Sequence, residues 1–242
     1  MRRVVPIVAA ALVTALAACS RGESRQADAT SPVAYVQGET TAPIQFTYYD
    51  DLVCDDCRQF STAGAELLRR NWVETGKLRL TVIDLAWHRG SVAGSAATVC
   101  AAAQGKFWEM HELLFARQDK WKREPDIPNT LRGYAGEMGL DTTAFSACAA
   151  SRTHQQRLDA AEDDARLKGV RGTPAFFVNG KAYFGAQDWD WMNAVLTAYA
   201  AGTPEKAPPP PLKIPTKKVV DSVALRGLQD SLKQASVPPK TP

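Results

Sequence analysis

Residues 46–60 read Phe46-Thr47-Tyr48-Tyr49-Asp50-Asp51-Leu52-Val53-Cys54-Asp55-Asp56-Cys57-Arg58-Gln59-Phe60, and three kinds of sequence follow one another within them. With Ile44 and Gln45 ahead of it, the first part is rich in β-branched and aromatic residues and predicts a buried strand. A C-x-x-C then closes a short acidic turn. After Cys57 the pattern becomes helical, with Phe60, Ala63, Leu67 and Leu68 recurring at three- and four-residue steps to about Trp72, and Gly76 as the stop. A cysteine at such a helix start meets unpaired N–H groups and the positive end of the helix dipole. Its thiolate is stabilised and its pKa falls, which casts Cys54 as the attacking thiol. With two residues between them, Cys57 is placed to resolve a mixed disulfide.

Taken alone, C-x-x-C has competing readings: half of a zinc site or a short structural disulfide. Zinc needs four ligands at suitable spacing, and the remaining Cys100 and Cys148 lie far apart on apparent helices, with no His-x-x-x-His in the chain. The flanking pattern favours redox chemistry. Leu78 to Leu85 (LRLTVIDL) predicts a second strand, so strand, helix and strand form a βαβ unit with parallel pairing. From Ser91 to Lys168 the chain reads as mostly helical: Val92 to Ala103, Lys106 to Phe115, Thr130 to Met138, Thr142 to Ala150 and His154 to Lys168. Gly169 to Pro174 leads into Ala175 to Val178, Asn179-Gly180 is a hairpin signal, and Lys181 to Phe184 completes the pair. Asp188 is placed to cap a last helix ending near Ala201.

Three segments together carry a family resemblance: FTYYDDLVCDDCRQF, QGKFWEMHELLF and GVRGTPAFFVNGK. In order and rough spacing they resemble the DsbA-like thiol–disulfide oxidoreductases, over about residues 33 to 201. The resemblance implies an α/β, thioredoxin-like fold with an inserted α-helical subdomain at about 91–168. It also implies a cis-proline at Pro174, preceded by Thr173 and facing the dithiol, where a client chain could pair as a short strand. Some relatives carry a second cysteine pair in the helical region. A structural disulfide between Cys100 and Cys148 is therefore expected, with two reduced core thiols as the alternative. Strongly oxidising relatives carry proline and histidine between the cysteines. Here Asp55 and Asp56 should oppose the Cys54 thiolate and make a weaker oxidant.

The N-terminus speaks to location. Arg2 and Arg3 precede an apolar run, Val4 to Ala17, too short to span a bilayer and of signal-peptide length. Leu16-Ala17-Ala18-Cys19 resembles a lipobox, which makes residues 1–18 a lipoprotein signal and Cys19 the lipidated residue; an ordinary secretory signal is the alternative. With Cys19 lipidated, four of the five cysteines remain, an even set for an oxidising compartment. Residues 19–32 read as a flexible tether, 33–202 as the folded domain, and 203–242 as a proline-rich basic tail holding nine of the fifteen prolines, with a possible short helix over Lys217 to Gln234.

With 29 basic and 26 acidic residues, the chain shows no sign of a nucleic-acid partner. His88, His111 and His154 are read as structural, with nothing linking His88 to Cys54, and Trp189 and Trp191 as core. The expected activity is disulfide exchange with exported, cysteine-containing clients, without cofactor or metal, at a membrane facing the periplasm or extracytoplasmic space. A membrane redox partner would recycle the pair. Rival readings are a reductase or isomerase of the same fold, or a lipoprotein holding Cu(I) on the two thiols.

Overall fold

The computed structural model describes residues 34–209, residue 152 excepted. The signal, Cys19, the tether and the helix suggested over Lys217 to Gln234 lie outside the described residues. A short edge strand, β1 (Ala34–Gln37), precedes the predicted β2 (Ile44–Asp50). After the C-x-x-C come α1 (Asp55–Ala63), α2 (Ala65–Leu68) and a π-helical turn, Arg69–Val73, before β3 (Leu78–Asp84). The single helix expected to run to Trp72 is broken at Gly64. A Cβ there would lie 3.1 Å from the Phe60 ring, so this glycine lets the two segments pack closely at the kink.

β2 is the centre of the sheet. It runs parallel to β3, from Ile44 opposite Leu78 to Asp50 opposite Asp84, and antiparallel to β4 (Ala175–Val178). β5 (Lys181–Phe184) pairs with β4 through the Asn179-Gly180 turn, whose two positive φ angles, 46° and 84°, suit a type I′ hairpin. β1 closes the other edge, antiparallel to β3, giving the order β1-β3-β2-β4-β5. Ile44, Phe46 and Tyr48 face one side, where Phe60, Leu68 and Trp72 meet Met192, Val195 and Leu196 of the last helix. Tyr49, Ile83 and Leu85 face the other, against Ala161 and Ala165.

Between β3 and β4 lie α3 (Ser91–Ala102), α4 (Phe107–Ala116), α5 (Gln118–Trp121), α6 (Ile127–Glu137), α7 (Thr142–Ala149) and α8 (Thr153–Leu167). Their own core gathers Met110, Leu114, Phe115, Trp121, Leu131 and Phe145, and it includes Leu52 and Cys57 from the turn after β2. Cys100 and Cys148 are joined by a disulfide, S–S 2.03 Å, tying α3 to α7. The last helix, α9 (Trp189–Ala200), starts where the Asp188 carboxylate accepts the Trp191 N–H at 2.8 Å. Trp191 is buried in the sheet core and Trp189 packs against it.

Candidate active site

The turn carrying Cys54 is anchored from below by Asp51. Its side chain is fully buried and accepts from the Val53 N–H (3.0 Å), the Trp87 N–H (3.0 Å) and the Ser91 hydroxyl (2.6 Å). The His88 ring Nδ1 lies 2.7 Å from the same carboxylate, and the Asp51 carbonyl accepts the Cys54 N–H at 2.9 Å. His88 is therefore tied to Cys54 through one residue, which corrects the expectation that nothing connects them.

Cys54 is the N-cap of α1. Its Sγ accepts from the Cys57 N–H at 3.4 Å and lies 3.4 Å from the carbonyl of Thr173, whose bond to Pro174 is cis. Strand β2 and the segment leading into β4 thus bring Cys54, Cys57, Thr173 and Pro174 together. Both thiols are free; Cys54 is half-buried and Cys57 fully buried. A hydrogen bond from the Cys57 thiol is the main cause that takes the Cys54 pKa down to about 6, with Thr173 and the backbone N–H groups of Cys57 and Asp56 assisting against the cost of burial. The Thr173 hydroxyl is buried with no partner in the resting geometry, so it can turn toward a thiolate. Burial, then the hydrogen bond to Cys54 and the charge of Asp50, push the Cys57 thiol up. One sulfur is an anion at neutral pH and the other keeps its proton.

Of the acidic pair expected to oppose the thiolate, Asp55 is paired with a cation. Lys122 Nζ lies 2.6 Å from Asp55 Oδ1 and, by its hydrogen bond and charge, holds that carboxyl below the usual range, while Asp56 points to solvent. A cation 67 residues away in sequence cannot be paired with Asp55 by inspection of the chain.

Behind Cys57 lies a cluster not singled out from the sequence. Asp50, Asp84 and His111 are buried at the ends of β2 and β3 and on α4. His111 Nε2 is 2.8 Å from Asp50 Oδ2, and Asp84 Oδ2 accepts from Thr98 (2.7 Å) and Ser95 (3.0 Å). The Oδ1 atom of each carboxyl has no partner. Burial drives the Asp50 pKa well up, assisted by the charges of Asp51 and Cys54. It takes Asp84 to about 7, with Asp50 adding to the rise, and it lowers His111. Donor atoms of the three lie within 4.8 Å of one another, a group that could hold a metal ion. A shared proton meets the same need, because two buried carboxyls with one proton no longer carry two unpaired charges. The signal available in the sequence was the doubled Asp50-Asp51 straight after a buried strand, where both side chains cannot reach solvent.

A family model described as Thioredoxin matches residues 30–198. The chain is 34% identical over 175 residues to "Na(+)/H(+) antiporter NhaA 1" of Salinispora arenicola, covering 70% of this chain and 25% of that protein. It thus spans about a quarter of the length of the curated relatives it matches first. It is 23% identical to "Disulfide bond formation protein D" of Bacillus subtilis, covering 66% of this chain and 74% of the other. Among solved structures, Wolbachia pipientis alpha-DsbA1 superimposes with a TM-score of 0.64 at 17% identity, covering 72% of this chain and 94% of that one.

Proposed function

From the premise that this chain belongs to the thioredoxin family, in its DsbA-like form of thiol–disulfide oxidoreductases, we propose that it exchanges disulfides with protein clients through Cys54 and Cys57. The observation that carries this is the Cys54 sulfur at the head of α1, its pKa brought down to about 6, beside the carbonyl of Thr173.

The chemistry is two successive displacements. With the pair oxidised, a client thiolate attacks Cys54 Sγ, a bond forms between the two chains, and the Cys54–Cys57 bond breaks. The electron pair leaves on Cys57, and its proton comes from the neighbouring Asp50 carboxyl. A second client thiolate then attacks the client sulfur and releases Cys54 as a thiolate. Two client thiols are oxidised and one protein disulfide is reduced. The same steps reversed describe a reductase. A stable Cys54 thiolate favours the reduced protein and hence the disulfide-donor direction. Thr173 and Pro174 form the wall against which the client backbone lies.

A membrane redox partner recycles the pair in this reading. The clients are exported proteins with cysteines, and Cys19 with its lipid places the domain in the periplasm or extracytoplasmic space. Among the described residues no helix is long and apolar enough to cross a membrane. Cys57→Ala tests the assignment: the variant should retain clients as mixed disulfides on Cys54, released by reductant. Failure to trap any, with the protein folded, would remove the exchange mechanism.

A further inference from the structure

Helix α5 is only four residues long, yet it makes direct polar contacts with the cysteine turn. Gln118 is fully buried, and its amide donates at 2.9 Å to the carbonyls of both Leu52 and Cys54. Its oxygen accepts from Lys122 Nζ at 3.2 Å, and Lys122 reaches on to Asp55. Asp119, on the same short helix, pairs with Arg58 of α1. The two elements therefore exchange charges in both directions across their contact. The Lys122 side chain is 18% exposed although the Asp55 side chain is 70% exposed, so the cation is the held partner and the carboxylate the one brought to it.

We propose that Lys122 is a positioning residue for Cys54: oriented by Gln118, it neutralises Asp55 in the first turn of α1 and so leaves the field of the helix start to the sulfur. This deepens the oxidoreductase reading and rests on it. An exposed ion pair has little worth for stability, and this one acts through its place. A bare carboxylate one residue from Cys54 would compete with the thiolate for the same N–H groups and the same dipole. The acidic dipeptide between the cysteines is thereby compatible with a reactive thiol.

The test is the pH profile of iodoacetamide alkylation at Cys54 in the full chain. Wild type should titrate near 6. Lys122→Met should move that midpoint up by about 0.2–0.7 of a pH unit. Lys122→Arg should keep the wild-type midpoint, and Asp55→Asn/Lys122→Met should recover most of the shift. A coincident profile for Lys122→Met, or a shift that Asp55→Asn leaves untouched, overturns the proposal, since loss of packing alone would not be relieved by removing a charge. A wild-type midpoint like that of a peptide cysteine, near 8.5, would instead bring down the exchange function itself, and the role of Lys122 with it.

Discussion

Asp50 sets the terms on which Cys57 can act. A buried thiol whose pKa has been raised cannot ionise on its own at neutral pH, so it attacks a mixed disulfide only if its proton is taken as the sulfur moves. The charge of Asp50 reaches this thiol, which makes its carboxyl the base we expect, directly or through one water. Its carboxyl acts on Cys57 electrostatically, and its other neighbours, Asp84 and His111, can share the proton it receives. Asp50→Asn keeps the shape and removes the base. Resolution of a mixed disulfide on Cys54 should then slow by roughly 10²-fold, the low end of what a positioned base contributes. The alkylation rate of Cys54 should stay close to wild type. Single-turnover release of a small thiol from Cys54, followed by mass, measures the first quantity. An unchanged release rate would show that water, not Asp50, takes the proton.

At the scale of elements, the decisive contact is α3 against the cysteine turn. Gly94 makes it possible: a Cβ there would lie 3.1 Å from the Trp121 ring and 3.2 Å from Leu52 Cδ1, both fully buried. Gly94→Val should therefore cost about 1–3 kcal/mol by overpacking, read as a lower urea midpoint. Gly133 on α6 has no atom within 4 Å of its would-be Cβ, so Gly133→Ala should stabilise by up to about 1 kcal/mol through helix propensity alone. If both glycines respond alike, the close approach of α3 is not what Gly94 is for. These contacts also mark the limit of legibility. β2, β3 and the β4–β5 hairpin were readable because their burial follows local periodicity and turn chemistry. So was the N-cap role of Asp188. Edge strand β1 was missed, since four half-exposed residues carry almost no pattern. Helix α5 was missed because it is a single turn. Gln118, Lys122 and the Asp50–Asp84–His111 cluster depend on partners brought together by topology, and beyond the doubled Asp50-Asp51 nothing in the chain announces them.

For the whole molecule, the cysteine turn belongs to two cores at once. Tyr48 and Phe60 beside it pack in the sheet core, while Leu52 and Cys57 pack with the insertion. Global unfolding must therefore break the environment that makes Cys54 acidic, and stability must depend on redox state and pH together. In the reduced protein the Cys54 pKa is about 6 when folded, against about 8.5 for the unperturbed thiol. Between those values the unfolded chain binds more protons, so the reduced form gains stability as pH rises through this window. The gain is complete above the unfolded value and is lost as pH falls through about 6. The oxidised pair has no such proton to release. Asp50 and Asp84 work in the opposite sense, because their raised pKa values favour the folded state at low pH, but burial, the first cause of both, is common to the two redox forms. The Tm of the form reduced at Cys54–Cys57, minus that of the oxidised form, should accordingly climb between pH 6 and 8.5 with the Cys100–Cys148 bond intact in each. Calorimetry of the two forms across that range decides it. A constant difference would mean that folding does not stabilise the thiolate, and the field at the head of α1 could not then be what makes this sulfur acidic.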